Sequence, residues 1–149
     1  MRRDCIAAIE QLRAQRGTNT IEIWSSLAEG ADRIVAHLVP AHADRLVVVL
    51  PLEAQDYRDD FATQESRREF DELLASSELV DVTGPDEDGT RESAYERAGL
   101  GIVERCHVLL ALWDGEPARG RGGTAEIVRA ARERGRTVIH VPVTRADSA

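Results

Sequence analysis

Lysine is absent from this 149-residue chain; all 19 basic side chains are arginine. That excludes Schiff-base lysines, a lysine general base and the lysine of a Walker A loop. Cysteine is scarce: Cys5 and Cys106 cannot form a disulfide framework. There is no CxxC, no HExxH and no paired histidine spacing, so neither a metal site nor a bound cofactor is expected. Long apolar runs are missing too. Leu46–Leu50 and Val108–Trp113 are the longest, far too short to span a membrane. With no signal peptide in view, the chain reads as cytoplasmic with reduced thiols. Basic charge is outweighed by 27 acidic residues, for a net charge of −8, which argues against binding duplex nucleic acid.

What is present suits a packed domain. Hydrophobic residues are 42% of the chain, and a length of 149 fits one domain over residues 1–149, with 145–149 as a loose tail. Cys5, Ile9 and Leu12 recur at helical spacing over 3–16, and Gly17 is a stop. Thr20–Leu27 reads as a strand entering a loop. Ala31, Ile34, Val35, Leu38 and Val39 form an amphipathic helical stripe closed by Pro40. Leu46–Leu50 is apolar on both faces, as a strand covered on both sides should be. The second half of the polar stretch Glu53–Ser77 is a helix carrying Phe70, Leu73 and Leu74, and a short strand follows at Leu79–Val82. Ser93–Cys106 is helical, with Ala94, Ala98, Ile102 and Cys106 on one stripe. Val108–Trp113 is a strand, Gly115–Gly123 a glycine-rich loop, Thr124–Arg134 a helix and Thr137–Val143 the last strand.

This alternation predicts an α/β domain: a Rossmann-like open, mainly parallel sheet with helices on both faces. The first element is a helix, whereas such folds usually open with a central strand. The expected sheet therefore lacks its usual first strand, unless its edges pair with each other or a second chain fills the gap.

Two strand-to-helix junctions could carry chemistry. One runs from Trp113 through Asp114, Gly115, Arg119, Arg121, Gly122 and Gly123 to Thr124 and Glu126. Glycines permit close backbone approach, a helix start presents free N–H groups, and arginine forks add bidentate contacts to an anion. The same residues also suit a plain surface loop with Thr124 as N-cap, and both readings stay open. The other junction is Ser25-Ser26-Leu27-Ala28-Glu29-Gly30-Ala31-Asp32, where Gly30 opens the helix and two hydroxyls stand ready for a phosphate. In open parallel sheets, ligands sit beyond the carboxyl ends of the strands, so both junctions can face one pocket.

The order LAEGADR, VLP, AYERAG, LLALWDG and GRGGTAE resembles the SLOG superfamily over residues 20–143. These are Rossmann-like domains related to LOG-type phosphoribohydrolases and DprA-like proteins. The resemblance implies a nucleotide or nucleotide-derived ligand, held by Ser25, Ser26, Glu29 and Gly30 in one loop and by Gly122, Gly123 and Thr124 in the phosphate loop. Asp114 and Glu126 would then line the pocket. LOG-type hydrolases carry PGGxGTxxE, with the acid three residues after Thr; here Glu126 is two residues after Thr124 and no proline precedes the glycines. Their Arg-Lys pair meets Arg97 shifted by one position, about 100° around a helix. Nucleotide binding or sensing is therefore expected first. A nucleoside-monophosphate N-glycosidase using Glu126, with Asp114 in reserve, is the alternative. A third reading is an interaction module that completes its sheet as a homo-oligomer. Tyr57 and Phe61 are expected to anchor a loop, Cys106 to be a buried small hydrophobe, and Trp24 and Trp113 to wall the pocket or fill the core.

Overall fold

Helices and strands alternate along the chain in the computed structural model, which describes residues 2–17, 20–38, 44–117 and 123–143. Helix α1 (Arg2–Arg16) leads into β1 (Glu22–Ser25), α2 (Ala31–Ala36) and β2 (Arg45–Leu50). Two helices, α3 (Ala54–Arg58) and α4 (Gln64–Ala75), precede β3 (Leu79–Val82). Then come α5 (Arg91–Arg105), β4 (Val108–Trp113), α6 (Thr124–Glu133) and β5 (Thr137–Pro142). The fold is mixed α/β, with parallel-stranded sheets flanked by helices. Only α3 is an element the pattern did not predict; five residues are too few to display a helical period. Val39, Pro40, the arginines at 119 and 121, Gly122 and the tail 145–149 lie outside the described residues.

Local chemistry accounts for the helix ends. The Thr63 hydroxyl accepts the Ser66 N–H at 3.0 Å to start α4, and Thr90 accepts the Ser93 N–H at 3.1 Å to start α5. At the far end of α5, Arg136 donates to the Val103 and Glu104 carbonyls at 3.1 and 2.8 Å. Arg13 of α1 and Asp44 form a buried, two-pronged ion pair, and Asp44 also accepts the Ile21 N–H at 2.8 Å. That pair ties α1 to the entries of β1 and β2.

The core gathers on β2. Leu46, Val48 and Leu50 are buried with Leu27, Ala36, Phe70 and Leu73, and each of the larger side chains stabilises the fold by roughly 1.5–3 kcal/mol. Tyr57 and Phe61 are buried there too, edge-on at 5.1 Å, so they anchor the segment after Pro51. β4 differs. Its sequence, VLLALW, is as apolar as that of β2, yet only Ala111 is buried and the rest is half-exposed.

The topology explains the contrast. The described strands form two sheets, ordered β1-β2-β3 and β4-β5. β1 and β4 are edges, and no described strand lies between them. Arg45 N–H donates to the Ile21 carbonyl, and Val143 N–H to the Trp113 carbonyl. In a parallel ladder these bonds set the alternation of the backbone. Ile21 and Ile23 turn their peptide groups towards β2, whereas Glu22 and Trp24 turn theirs away. On β4, Leu109, Ala111 and Trp113 face β5, and Val108, Leu110 and Leu112 face outward. Pro142, which has no N–H, falls on the outer side of β5, where none is needed.

Candidate functional site: a cleft between two sheet edges

A cavity of about 860 Å³ lies between β1 and β4. Its long walls are the two strands, from Thr20 to Ser26 and from Val108 to Leu112. Helix α1 contributes Ala8, Ile9 and Leu12, and α2 contributes Ala31 and Val35; Ile102 of α5, Cys106 just past its end and Ile127 of α6 add further apolar surface. Hence the apolar stripe of α2 is only half-buried: Ala31 and Val35 face this space. Cys106 is half-buried for the same reason, and burial still pushes its thiol above the ordinary range.

At the carboxyl end of the strands, Ser25 and Ser26 share the cavity with Gly123 and Thr124. Gly123 is the N-cap of α6, and Thr124 is the first helical residue rather than the cap. Gly123 has no side chain to cap this helix start, and its carbonyl accepts the Glu126 and Ile127 N–H groups at 3.1 Å. Ser25 is not idle: its Oγ accepts the Leu27 N–H at 3.0 Å. Leu27 has φ of 56° and is fully buried. A non-glycine residue held there costs on the order of 1 kcal/mol or more. Its carbonyl is gripped by the buried Arg33, whose Nε donates at 3.1 Å.

Asp32 is a cavity carboxylate that the sequence reading did not assign to the site. Burial pushes its carboxyl above the ordinary value, opposed by hydrogen bonds from the Ala28 amide, the Ser25 hydroxyl and the Ser26 amide. Its position in the first turn of α2 was the one available signal. Beside it, Tyr57 reaches the same space, and burial raises its phenol strongly.

The other predicted residues go elsewhere. Glu29 and Gly30 border a second, shallower hollow of about 390 Å³ with Arg33, His37 and residues of α4. Glu29 accepts the Ser66 hydroxyl at 2.7 Å, and Ser66 accepts Arg33 Nη1 at 2.8 Å. Arg33 Nη1 also meets Glu69 at 3.0 Å, and His37 reaches Glu69 at 3.1 Å. Burial opposes ionisation of Glu69, but the His37 and Arg33 contacts outweigh it and hold the carboxyl below its ordinary value. Glu29 thus belongs to a network joining the α2 region to α4, and Gly30 borders the same hollow. Asp114 accepts the Glu116 N–H at 3.0 Å and shapes the turn at Gly115, whose φ is 82°. Trp113 donates its indole N–H to the Glu116 carbonyl at 3.0 Å and lies against His140, while Trp24 walls the cavity. Neither Asp114 nor Glu126 is among the cavity walls formed by described residues. The described residues contain no group of three or more metal-binding side chains and no helix long and apolar enough to cross a membrane.

No protein-family model matches the chain, and no curated protein matches it.

Proposed function

We propose that the carboxyl end of the cleft binds a nucleotide or nucleotide-derived anion, on a Rossmann-like domain similar to the SLOG superfamily. One observation carries the reading: Ser25 and Ser26, at the end of β1, open onto the same cavity as Gly123 and Thr124, at the start of α6. The N-terminus of α6, with its partial positive charge, suits a phosphate or carboxylate. The Ser26 and Thr124 hydroxyls lie within this setting. The arginines at 119 and 121 and Gly122 belong to the proposed phosphate loop by sequence. Apolar walls at Val35, Ile127 and Leu112 suit the remainder of the ligand.

Binding is favoured over hydrolysis. Glu126 and Asp114 do not line the cavity, and Asp32, which does, spends its oxygens on backbone amides. A panel of nucleoside mono-, di- and triphosphates tests the reading by thermal unfolding. At a hundredfold excess over Kd, a ligand stabilises by about 2.7 kcal/mol. That corresponds to a rise of roughly 5–10 °C for a chain of this size. Gly123→Asp sharpens the test. Aspartate is a good N-cap, so the free protein should keep or slightly gain stability. Its carboxylate occupies the anion position and should abolish the ligand-induced shift. A panel without any shift, or a shift that survives Gly123→Asp, refutes the assignment.

A further inference from the structure

Residues that follow four of the strands border one cavity. Ser26 and Asp32 follow β1, Tyr57 follows β2, Tyr95 follows β3, and Gly123 and Thr124 follow β4. The proposed anion position is at Gly123 and Thr124. Asp32 and Tyr57 come from the other sheet, and a carboxylate there repels a phosphate instead of holding it. Two observations say what this side of the cavity suits. Asp32 accepts from the Ala28 amide, the Ser25 hydroxyl and the Ser26 amide. A carboxylate offers about four acceptor positions, so Asp32 has room for one more donor and not for a base edge that presents two. Tyr57 is 2% exposed, with its ring packed edge-on against Phe61 and Phe70 at 5.1 and 5.6 Å. Its hydroxyl makes no hydrogen bond to any described residue, and Asp32 is close enough to oppose loss of its proton. A buried phenol oxygen ordinarily finds a partner, and phenylalanine would fill the same space without leaving one unpaired.

We propose that Asp32 and the Tyr57 hydroxyl form a subsite for one sugar hydroxyl of the ligand, so that the cleft takes ribose-bearing phosphates in preference to their deoxy counterparts. An alcohol satisfies both groups at once: its proton goes to Asp32, and its oxygen accepts from Tyr57. This inference rests on the nucleotide reading and adds the sugar to it. The phosphate lies towards α6 and the sugar towards α2 and α3. Tyr57 is then a specificity-determining residue, held in place by the aromatic rings around it, while the anion is held by other residues.

The probes are AMP, GMP, CMP and UMP with their 2′-deoxy and 3′-deoxy forms, titrated by calorimetry. For whichever base binds, removing one of the two sugar hydroxyls should weaken binding at least about tenfold, because the groups that pair with it are then left unsatisfied. Tyr57→Phe keeps the ring and removes only the oxygen, and it should narrow that ratio at least about threefold. The free variant should melt no lower than the parent, since its hydroxyl has no partner to lose. Gly123→Asp should weaken the ribose and deoxy forms together. Equal affinity for ribose and deoxy forms overturns the subsite and leaves the anion site standing. A ratio unchanged in Tyr57→Phe places sugar recognition elsewhere and overturns it as well. So does a lower melting temperature for the free variant, which means that the hydroxyl already has a partner within the protein. A ribose preference that depends on Tyr57 but survives Gly123→Asp at full affinity supports the subsite and refutes only the placement of the anion. If no form of any base binds, both readings fall.

Discussion

Replacing Arg33 by methionine separates two accounts of what the buried guanidinium does. Its side chain is 4% exposed and lies over the Phe61 ring at 4.3 Å. If the ion pair with Glu69 is the main contribution, both Arg33→Met and Glu69→Gln should be costly. Glu69, however, is 40% exposed, so solvent screens it and its share of the pair is below about 1 kcal/mol. The carbonyls are different. Leu27 is fully buried, and without Arg33 its oxygen loses the donor at 3.1 Å, a cost of about 1–3 kcal/mol. The Ser66 carbonyl, 2.9 Å from Nη1, is only partly buried and regains water. Methionine keeps the apolar stem over Phe61 and removes a desolvated charge, which offsets part of the loss. The balance is about 1–3 kcal/mol for Arg33→Met and under 1 kcal/mol for Glu69→Gln. With a urea slope near 2 kcal/mol/M, the midpoint falls by about 0.5–1.5 M for the first variant and by less than about 0.5 M for the second. Hydrogen exchange at Leu27 should accelerate in Arg33→Met only. Equal losses for the two variants, or an Arg33→Met midpoint unchanged within error, would refute the view that this arginine serves the Leu27 turn rather than the ion pair.

Three further perturbations probe the same scaffold. Burial raises the Asp32 carboxyl in the folded state, so the stability it contributes is complete below the unfolded value of about 3.9 and is lost as pH climbs through the folded value. Asp32→Asn should therefore gain on the parent as pH increases above about 4, and urea midpoints from pH 4 to 8 that differ by a constant amount would contradict this. Gly30→Ala places a Cβ at φ 90° and ψ −121°, which costs about 1–3 kcal/mol. Calorimetry should show a fall of about 2–12 °C, and an unchanged melting temperature would mean that the turn relaxes freely. Arg136→Ala removes two donors from the last carbonyls of α5, and its expected loss of about 1 kcal/mol should appear with faster exchange in the last turn of α5. Uniform exchange along the helix would show that the arginine is dispensable there.

Much of this architecture is legible in the residue pattern because burial is written twice, in period and in composition. The stripe Ala94, Ala98 and Ile102 marks α5, which stops one residue short of Cys106, and the uninterrupted apolar run at Leu46–Leu50 marks a strand covered on both sides. Arg33 illustrates what the pattern hides. Its neighbours Ala31, Ile34 and Val35 define the greasy face of α2, so an arginine beside them reads as solvated. Instead it is buried, because one backbone carbonyl in a left-handed turn and a serine on α4 supply acceptors from 6 and 33 residues away. Composition cannot encode partners at such separations. The SLOG resemblance puts Glu29 and Gly30 in one ligand loop with Ser25 and Ser26, yet the Leu27 turn sends the two pairs to different hollows.

The half-burial of β4 follows from the same reasoning about edges. An apolar strand is stable in water only when neighbours and helices exclude solvent from it, and β2 has both. β4 has β5 on one side and an open slot on the other, so its five remaining apolar side chains keep surface that composition would assign to the interior. Apolar residues on four different helices border that same slot. Independent elements do not converge on water with apolar faces by chance, since each exposed face costs about 25 cal/mol for every Å² left uncovered. Their common orientation, with no described strand between β1 and β4, is what leaves this slot apolar along its length.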